Sequence, residues 1–149
     1  MARMIRRETV PGFTLIETVA SLAILATLIY LVSVSLLGMA PKYKLEKGIW
    51  EIRAALNAAR AKAILESVDF RVKIEPAGYL MEKRGAPSNA WTMATRRTLE
   101  GVACAANNRP VFTPEGSVTG LATITVTNSW GGYKITLAIT GRIKTTRLF

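Results

Sequence analysis

The side chains that most often do chemistry near neutral pH are scarce in this sequence. Histidine is absent and cysteine occurs once, as Cys104. Without imidazole there is no His-based triad and no ordinary zinc site, and a lone thiol forms no disulfide within the chain. No nucleophile, base and orienting group can be assembled from what remains, which argues against an enzyme and against any catalytic, metal or cofactor site. Two places do carry charge that calls for a partner. Glu17 stands at the head of a long apolar run, where a buried carboxylate is costly unless it is paired or snorkels to the headgroups. Arg142, Lys144 and Arg147 crowd the last eight residues, and strand alternation puts Arg142 and Lys144 on one side.

These residues have to be positioned by a chain of 149 residues, enough for one modest domain. Twenty Lys and Arg stand against ten Asp and Glu, a net charge of +10. Such a balance favours phosphates, anionic lipid or an acidic protein surface as partners. Met1 to Gly12 is short and polar, with Arg3, Arg6 and Arg7 outweighing Glu8. Thr18 to Ala40 then runs 23 residues without a charge. As a helix at about 1.5 Å per residue it reaches roughly 35 Å, enough to cross a hydrocarbon core of about 30 Å. Positive charge ahead of the span keeps that end cytoplasmic and sends the bulk of the chain across the membrane. Pro41 marks a break beyond the span.

Past Pro41, Leu45, Ile49, Ile52, Leu56, Ala59 and Ala63 recur at spacings of four and three, while Lys47, Glu51, Arg53, Arg60 and Lys62 largely face elsewhere. That is an amphipathic helix, continuing the membrane helix after a kink or short interruption near Gly38 to Pro41, with an apolar stripe that a sheet must cover. From Val68 the period becomes two: Phe70, Val72 and Ile74 alternate with Arg71, Lys73 and Glu75 up to Pro76. Tyr79 to Lys83 is the return strand, Gly85 to Asn89 a turn, and Trp91 to Leu99 a further strand with Arg96 and Arg97 exposed. Gly101 to Pro110 reads as an irregular connection in which Cys104 is a small packed group. Antiparallel strands follow at Val111-Phe112, around Ile124 and Val126, and where Tyr133, Ile135, Leu137 and Ile139 alternate with polar or small residues. Asn128 to Gly132 joins two of them, and Gly141 turns the chain into a last segment, Arg142 to Phe149.

Gly12-Phe13-Thr14-Leu15-Ile16-Glu17, preceded by basic residues and followed by the apolar run, resembles the class III signal of type IV pilins and type II secretion pseudopilins. The resemblance implies cleavage by a prepilin peptidase between Gly12 and Phe13, N-methylation of Phe13, and pairing of Glu17 with the amino terminus of a neighbouring subunit during assembly. Two other readings of the same stretch are a plain single-pass anchor and an ordinary secretory signal ending at Gly38-Met39-Ala40. The apolar stretch is much longer than a typical signal core, and a secretory signal leaves the Gly12 to Glu17 pattern unexplained.

The other end of the chain carries a second resemblance. Phe112-Thr113-Pro114-Glu115-Gly116, threonine-rich strands and Gly141-Arg142-Ile143 are similar to the tail of minor pseudopilins of the H class and of FimT-type minor pilins. Residues 13 to 40 contain no Pro and Cys104 has no partner, which sets the chain apart from several major pilins. In the FimT type a Gly-Arg-centred basic tail binds DNA, so the resemblance implies a DNA contact at Arg142, Lys144 and Arg147. Lys144 neutralises a phosphate but lacks arginine's fork. The alternative is that these charges form a solvated face or meet acidic residues of neighbouring subunits. Loss of the leader takes 20 basic and 10 acidic residues to 17 and 9, so the mature chain stays basic at +8.

The expected protein is α+β: a leader at 1–12, a transmembrane helix at 13–40, an extramembrane amphipathic helix at 41–67 and an antiparallel β domain at 68–149. Its expected home is the bacterial inner membrane, with the amino terminus cytoplasmic and the β domain outside the cytoplasm. Its expected partners are other pilins or pseudopilins, the prepilin peptidase, the membrane and, in the DNA-uptake alternative, DNA. No cofactor or small-molecule substrate is expected.

Overall fold

The computed structural model describes residues 12–85 and 89–149, without the side chains of 34–37. The expected leader lies outside the described residues except for Gly12, as does the centre of the Gly85 to Asn89 turn. The chain divides into two units, one ending at Gly38 and the other covering Met39–Phe149.

One helix, α1, runs Leu15–Glu66 with Pro41 inside it. Of the kink or short interruption expected near Gly38 to Pro41, the interruption is not present. A proline removes one hydrogen bond from a helix, and the intact turns on either side carry the ladder past it. The Pro41 carbonyl also accepts from the Asn128 side-chain amide, at 2.6 Å. The helix ends where Ser67 adopts φ +53°, turning the chain into the sheet.

Among the described residues nine strands follow: β1 Asp69–Glu75, β2 Gly78–Arg84, β3 Trp91–Thr98, β4 Ala103–Ala106, β5 Val111–Phe112, β6 Val118–Thr119, β7 Thr123–Asn128, β8 Gly131–Leu137 and β9 Ile143–Arg147. They form two sheets, ordered β3-β2-β1-β5-β6 and β4-β7-β8-β9, and every pairing is antiparallel. The core is a single apolar cluster. The stripe Leu45, Ile49, Ile52, Leu56, Ala59 and Ala63 is buried as its spacing predicts, against Phe70, Val72, Met81 and Phe112 of the first sheet and Ile124, Val126, Ile135 and Leu137 of the second. All of these residues belong to Met39–Phe149, so that unit carries its own core.

Two strand expectations change. The stretch read as an irregular connection contains β4, which pairs with β7 through Cys104 and Val126. Its run of Ala and Cys shows no alternation of bulk, and only the tertiary pairing makes it a strand. Alternation was also expected to carry β8 through Ile139. The strand stops at Leu137 because the chain turns there: the Gly141 N–H donates to Ala138 O, and Ile139, 64% exposed, offers its carbonyl to the Val118 N–H of the first sheet.

Candidate assembly and binding surfaces

In the first unit, Gly12 and Phe13 lie exposed just ahead of α1. Thr14 caps the helix, its hydroxyl accepting the Glu17 N–H at 3.3 Å. Thr-x-x-Glu is the pattern of a capping box, and a carboxylate in the first turn also faces the positive end of the helix dipole. Only the Glu17 N–H takes part in this cap; its carboxylate makes no hydrogen bond or ion pair among the described residues. Further along, the hydroxyls of Thr18, Ser21, Thr27 and Ser33 each donate to a carbonyl one turn back, at 2.8 to 2.9 Å. The serine and threonine hydroxyl hydrogens of Leu15–Ser33 are thus already satisfied, which suits hydrocarbon. That segment has a mean hydropathy of 2.2, is long enough to cross a membrane, and buries nothing against the chain.

In the second unit, the face of α1 opposite the core carries Tyr43, Lys47, Trp50, Ala54, Asn57, Ala61 and Leu65 at spacings of four and three. Tyr43 is 60% exposed, Trp50 70% and Leu65 82%, with the Arg53 guanidinium 5.6 Å from the Trp50 ring centroid. This face sets Ala54 and Ala61 between the larger Tyr43, Trp50 and Leu65, which leaves room for another helix to approach.

The tail residues separate. In β9, Lys144 lies opposite Thr136 and Arg147 opposite Tyr133, so they point to opposite faces of the sheet. Lys144 is exposed, and so is Arg142 immediately ahead of the strand. Arg147 is engaged: its guanidinium sits 4.6 Å from the Trp130 ring centroid and its Nε donates to Phe149 O at 3.1 Å. Trp130 also receives Lys42, 5.6 Å from the ring centroid.

A residue that the periodicity turned outward proves central. Arg60 is half-buried, and its Nε donates to the Gly116 carbonyl at 3.0 Å. Gly141 adopts φ +78°, and a Cβ there would lie 2.8 Å from Arg60 Cζ and Nε. One guanidinium therefore touches both turns that mark the tail pattern, Thr113 to Gly116 and Ala138 to Gly141. No local signal announces this, because both contacts lie far from Arg60 in sequence.

Charge is segregated between the sheets. Among the described residues, ion pairs occur on the helix and the first sheet: Lys47–Glu51, Lys83–Glu66, Arg71–Glu82, Arg84–Asp69 and Arg96–Glu75. Trp91 stacks with two of those arginines, 4.2 Å from Arg71 and 5.4 Å from Arg84. The strands of the second sheet contain no Asp or Glu. Its outer face presents the threonines of β7 with Lys134, Thr136, Lys144 and Thr146. Cys104 is buried in β4, and desolvation pushes its thiol up to about 11, which leaves it protonated and unreactive at neutral pH.

An apolar helix ahead of a self-contained helix-on-sheet unit can be set beside known structures. The minor pseudopilin EpsH from the Type 2 Secretion System of Vibrio cholerae superposes with a TM-score of 0.58 at 16% identity, covering 70% of this chain and 97% of that one. The type IV minor pilin FimU of Pseudomonas aeruginosa superposes with a TM-score of 0.57 at 15% identity, covering 70% of this chain and 90% of that one. The fold is that of the minor pilins and pseudopilins. No protein-family model and no curated protein matches the sequence. The pilin-like fold thus persists at an identity where sequence matching fails, because it needs only the α1 stripe and the alternating strands that bury against it.

Proposed function

We propose that this chain is a minor pilin or pseudopilin subunit that acts by assembly into a type II secretion pseudopilus or a type IV pilus. In this reading a prepilin peptidase cleaves between Gly12 and Phe13, Phe13 is N-methylated, and Leu15–Ser33 holds the subunit in the bacterial inner membrane. The amino terminus faces the cytoplasm and Met39–Phe149 lies outside it. The observation that carries the proposal is the apolar helix that buries nothing within the chain, joined in sequence to a unit with the minor-pilin fold. The exposed stripe from Tyr43 to Leu65 supports packing among other pilin subunits. Glu17, freed to pair with a neighbour's new amino terminus, offsets the cost of its own burial.

The test compares wild type with Glu17→Ala in cells lacking the native gene, measuring membrane-inserted and filament-incorporated protein separately. Unchanged insertion with lost incorporation is expected. Normal incorporation of the variant would sink the assembly role of Glu17, and a gene deletion that leaves both secretion and piliation intact would sink the proposal as a whole.

The absence of carboxylates from the second sheet favours one alternative, a DNA-binding minor pilin for natural transformation. Here Arg142 and Lys144 contact phosphates, while Arg147 keeps Trp130 and the terminus in place. Deletion then abolishes transformation while secretion persists.

A further inference from the structure

The outer face of the first sheet is nearly self-neutralised. Asp69, Glu75 and Glu82 are each held by an arginine, Arg84, Arg96 and Arg71 respectively. Lys73 of β1 is the exception on that face, half-buried and without an ion pair among the described residues. Beside it passes the segment that leaves β4. Lys73, Ile74, Ala106, Asn107, Asn108 and Arg109 line a groove of about 510 Å³. No carboxylate lines it, and Arg109 also has no ion pair among the described residues.

The asparagines sharpen this asymmetry. Asn107 Oδ1 accepts the Thr123 N–H at 2.7 Å, and Asn108 Oδ1 accepts the Arg109 N–H at 2.8 Å. Both amide oxygens are thereby engaged with backbone donors, which fixes the amides with their NH2 groups on the other side. Asn108 Nδ2 makes a long contact of 3.4 Å to Leu121 O, and Asn107 Nδ2 has no acceptor among the described residues. The residues that line the groove thus carry side-chain donors on Lys73, Arg109 and Asn107, the last two exposed to solvent, and no carboxylate. Two like charges lining one groove repel, and a bound anion converts that repulsion into attraction.

We propose that this groove is an oxyanion site, taking a phosphate or carboxylate group between Lys73 and Arg109 with the Asn107 amide as a third donor. Arg109 supplies a planar fork for two oxygens and Lys73 a point charge. The site is independent of the assembly reading, since none of its residues lies on α1 or in the tail.

The experiment is a nuclear magnetic resonance titration of the full chain in neutral detergent micelles, following the Asn107 and Asn108 side-chain amides. Inorganic phosphate and acetate are added separately at constant ionic strength, to wild type and to Lys73→Gln and Arg109→Gln. The expected result is a saturable shift at Asn107, with the dissociation constant raised about tenfold in each variant, the loss of one charge-assisted bond. Tighter binding of phosphate assigns the site to phosphate groups, and tighter binding of acetate assigns it to carboxylates. Amides of β7 and β8 that hold their wild-type positions show that each variant is folded. The proposal is overturned if the Asn107 shift stays linear up to roughly 50 mM, where a millimolar site would be filled. It is equally overturned if folded variants shift as wild type does.

Discussion

Replacing Gly141 by alanine tests whether Arg60 joins the helix to both tail turns. The perturbation has two parts. A left-handed residue with a Cβ costs about 1–2 kcal/mol, and Gly141 sits at φ +78°. The added Cβ also lands 2.8 Å from Arg60 Cζ and Nε, so the guanidinium has to move off the Gly116 carbonyl it bonds at 3.0 Å. A hydrogen bond from a charged donor is worth about 1.5–3 kcal/mol, and half-exposure of Arg60 lowers that to about 1–2 kcal/mol. The sum is a loss of about 2–4 kcal/mol. For a unit of this size it lowers Tm by about 8–16 °C, at about 4 °C per kcal/mol. The assay is thermal unfolding of Met39–Phe149, which holds its own core, by circular dichroism in wild type, Gly141→Ala, Arg60→Ala and the double variant. In the Arg60→Ala background, Gly141→Ala should cost only its backbone strain, leaving a coupling of about 1–2 kcal/mol between the sites. Equal costs in both backgrounds would refute the reasoning, since the guanidinium would then not be wedged against Gly141.

Burial holds the Cys104 thiol up to about 11, so between its ordinary 9.0 and that value the unfolded chain releases a proton that the folded chain keeps. Stability is complete below pH 9 and falls above it by about 1.4 kcal/mol per pH unit, roughly 3 kcal/mol in all. Urea unfolding of wild type and Cys104→Ala between pH 8 and 10 should show the slope only in wild type; Tyr79, also raised by burial, adds its share only above its ordinary 10.0 in both proteins. Asn128→Ala removes a donor from Pro41 O and the acceptor for the Trp130 and Gly131 N–H groups, and should cost about 2–3 kcal/mol in the same assay, with Asn128→Asp in between. If the tail binds DNA, two phosphate contacts by Arg142 and Lys144 give a log–log salt slope near −1.8, at about −0.9 per contact. Arg147→Ala should leave that slope unchanged, and a drop of about 0.9 would restore Arg147 to the binding face.

Where a feature repeats along the chain, sequence alone determined it. The α1 stripe from Leu45 to Ala63, the alternation of Phe70 and Val72 and that of Ile135 and Leu137 all end up buried, because a helix or strand buries whichever face its period makes apolar. The long uncharged run and the Gly12 to Glu17 pattern are likewise legible from neighbours in sequence. Tertiary structure decided what depends on residues distant in sequence. β4 is a strand only because β7 offers it a partner, and β8 ends at Leu137 because the Ile139 carbonyl is drawn to Val118. Arg60 reads as one more outward charge until the fold sets Gly116 and Gly141 beside it. Arg147 reads as one of three equivalent cations until strand pairing turns it toward Trp130 and away from Lys144. The physical reason is common to all four: periodicity assigns a residue to a face, but the groups that meet it there are brought by chain segments tens of residues away.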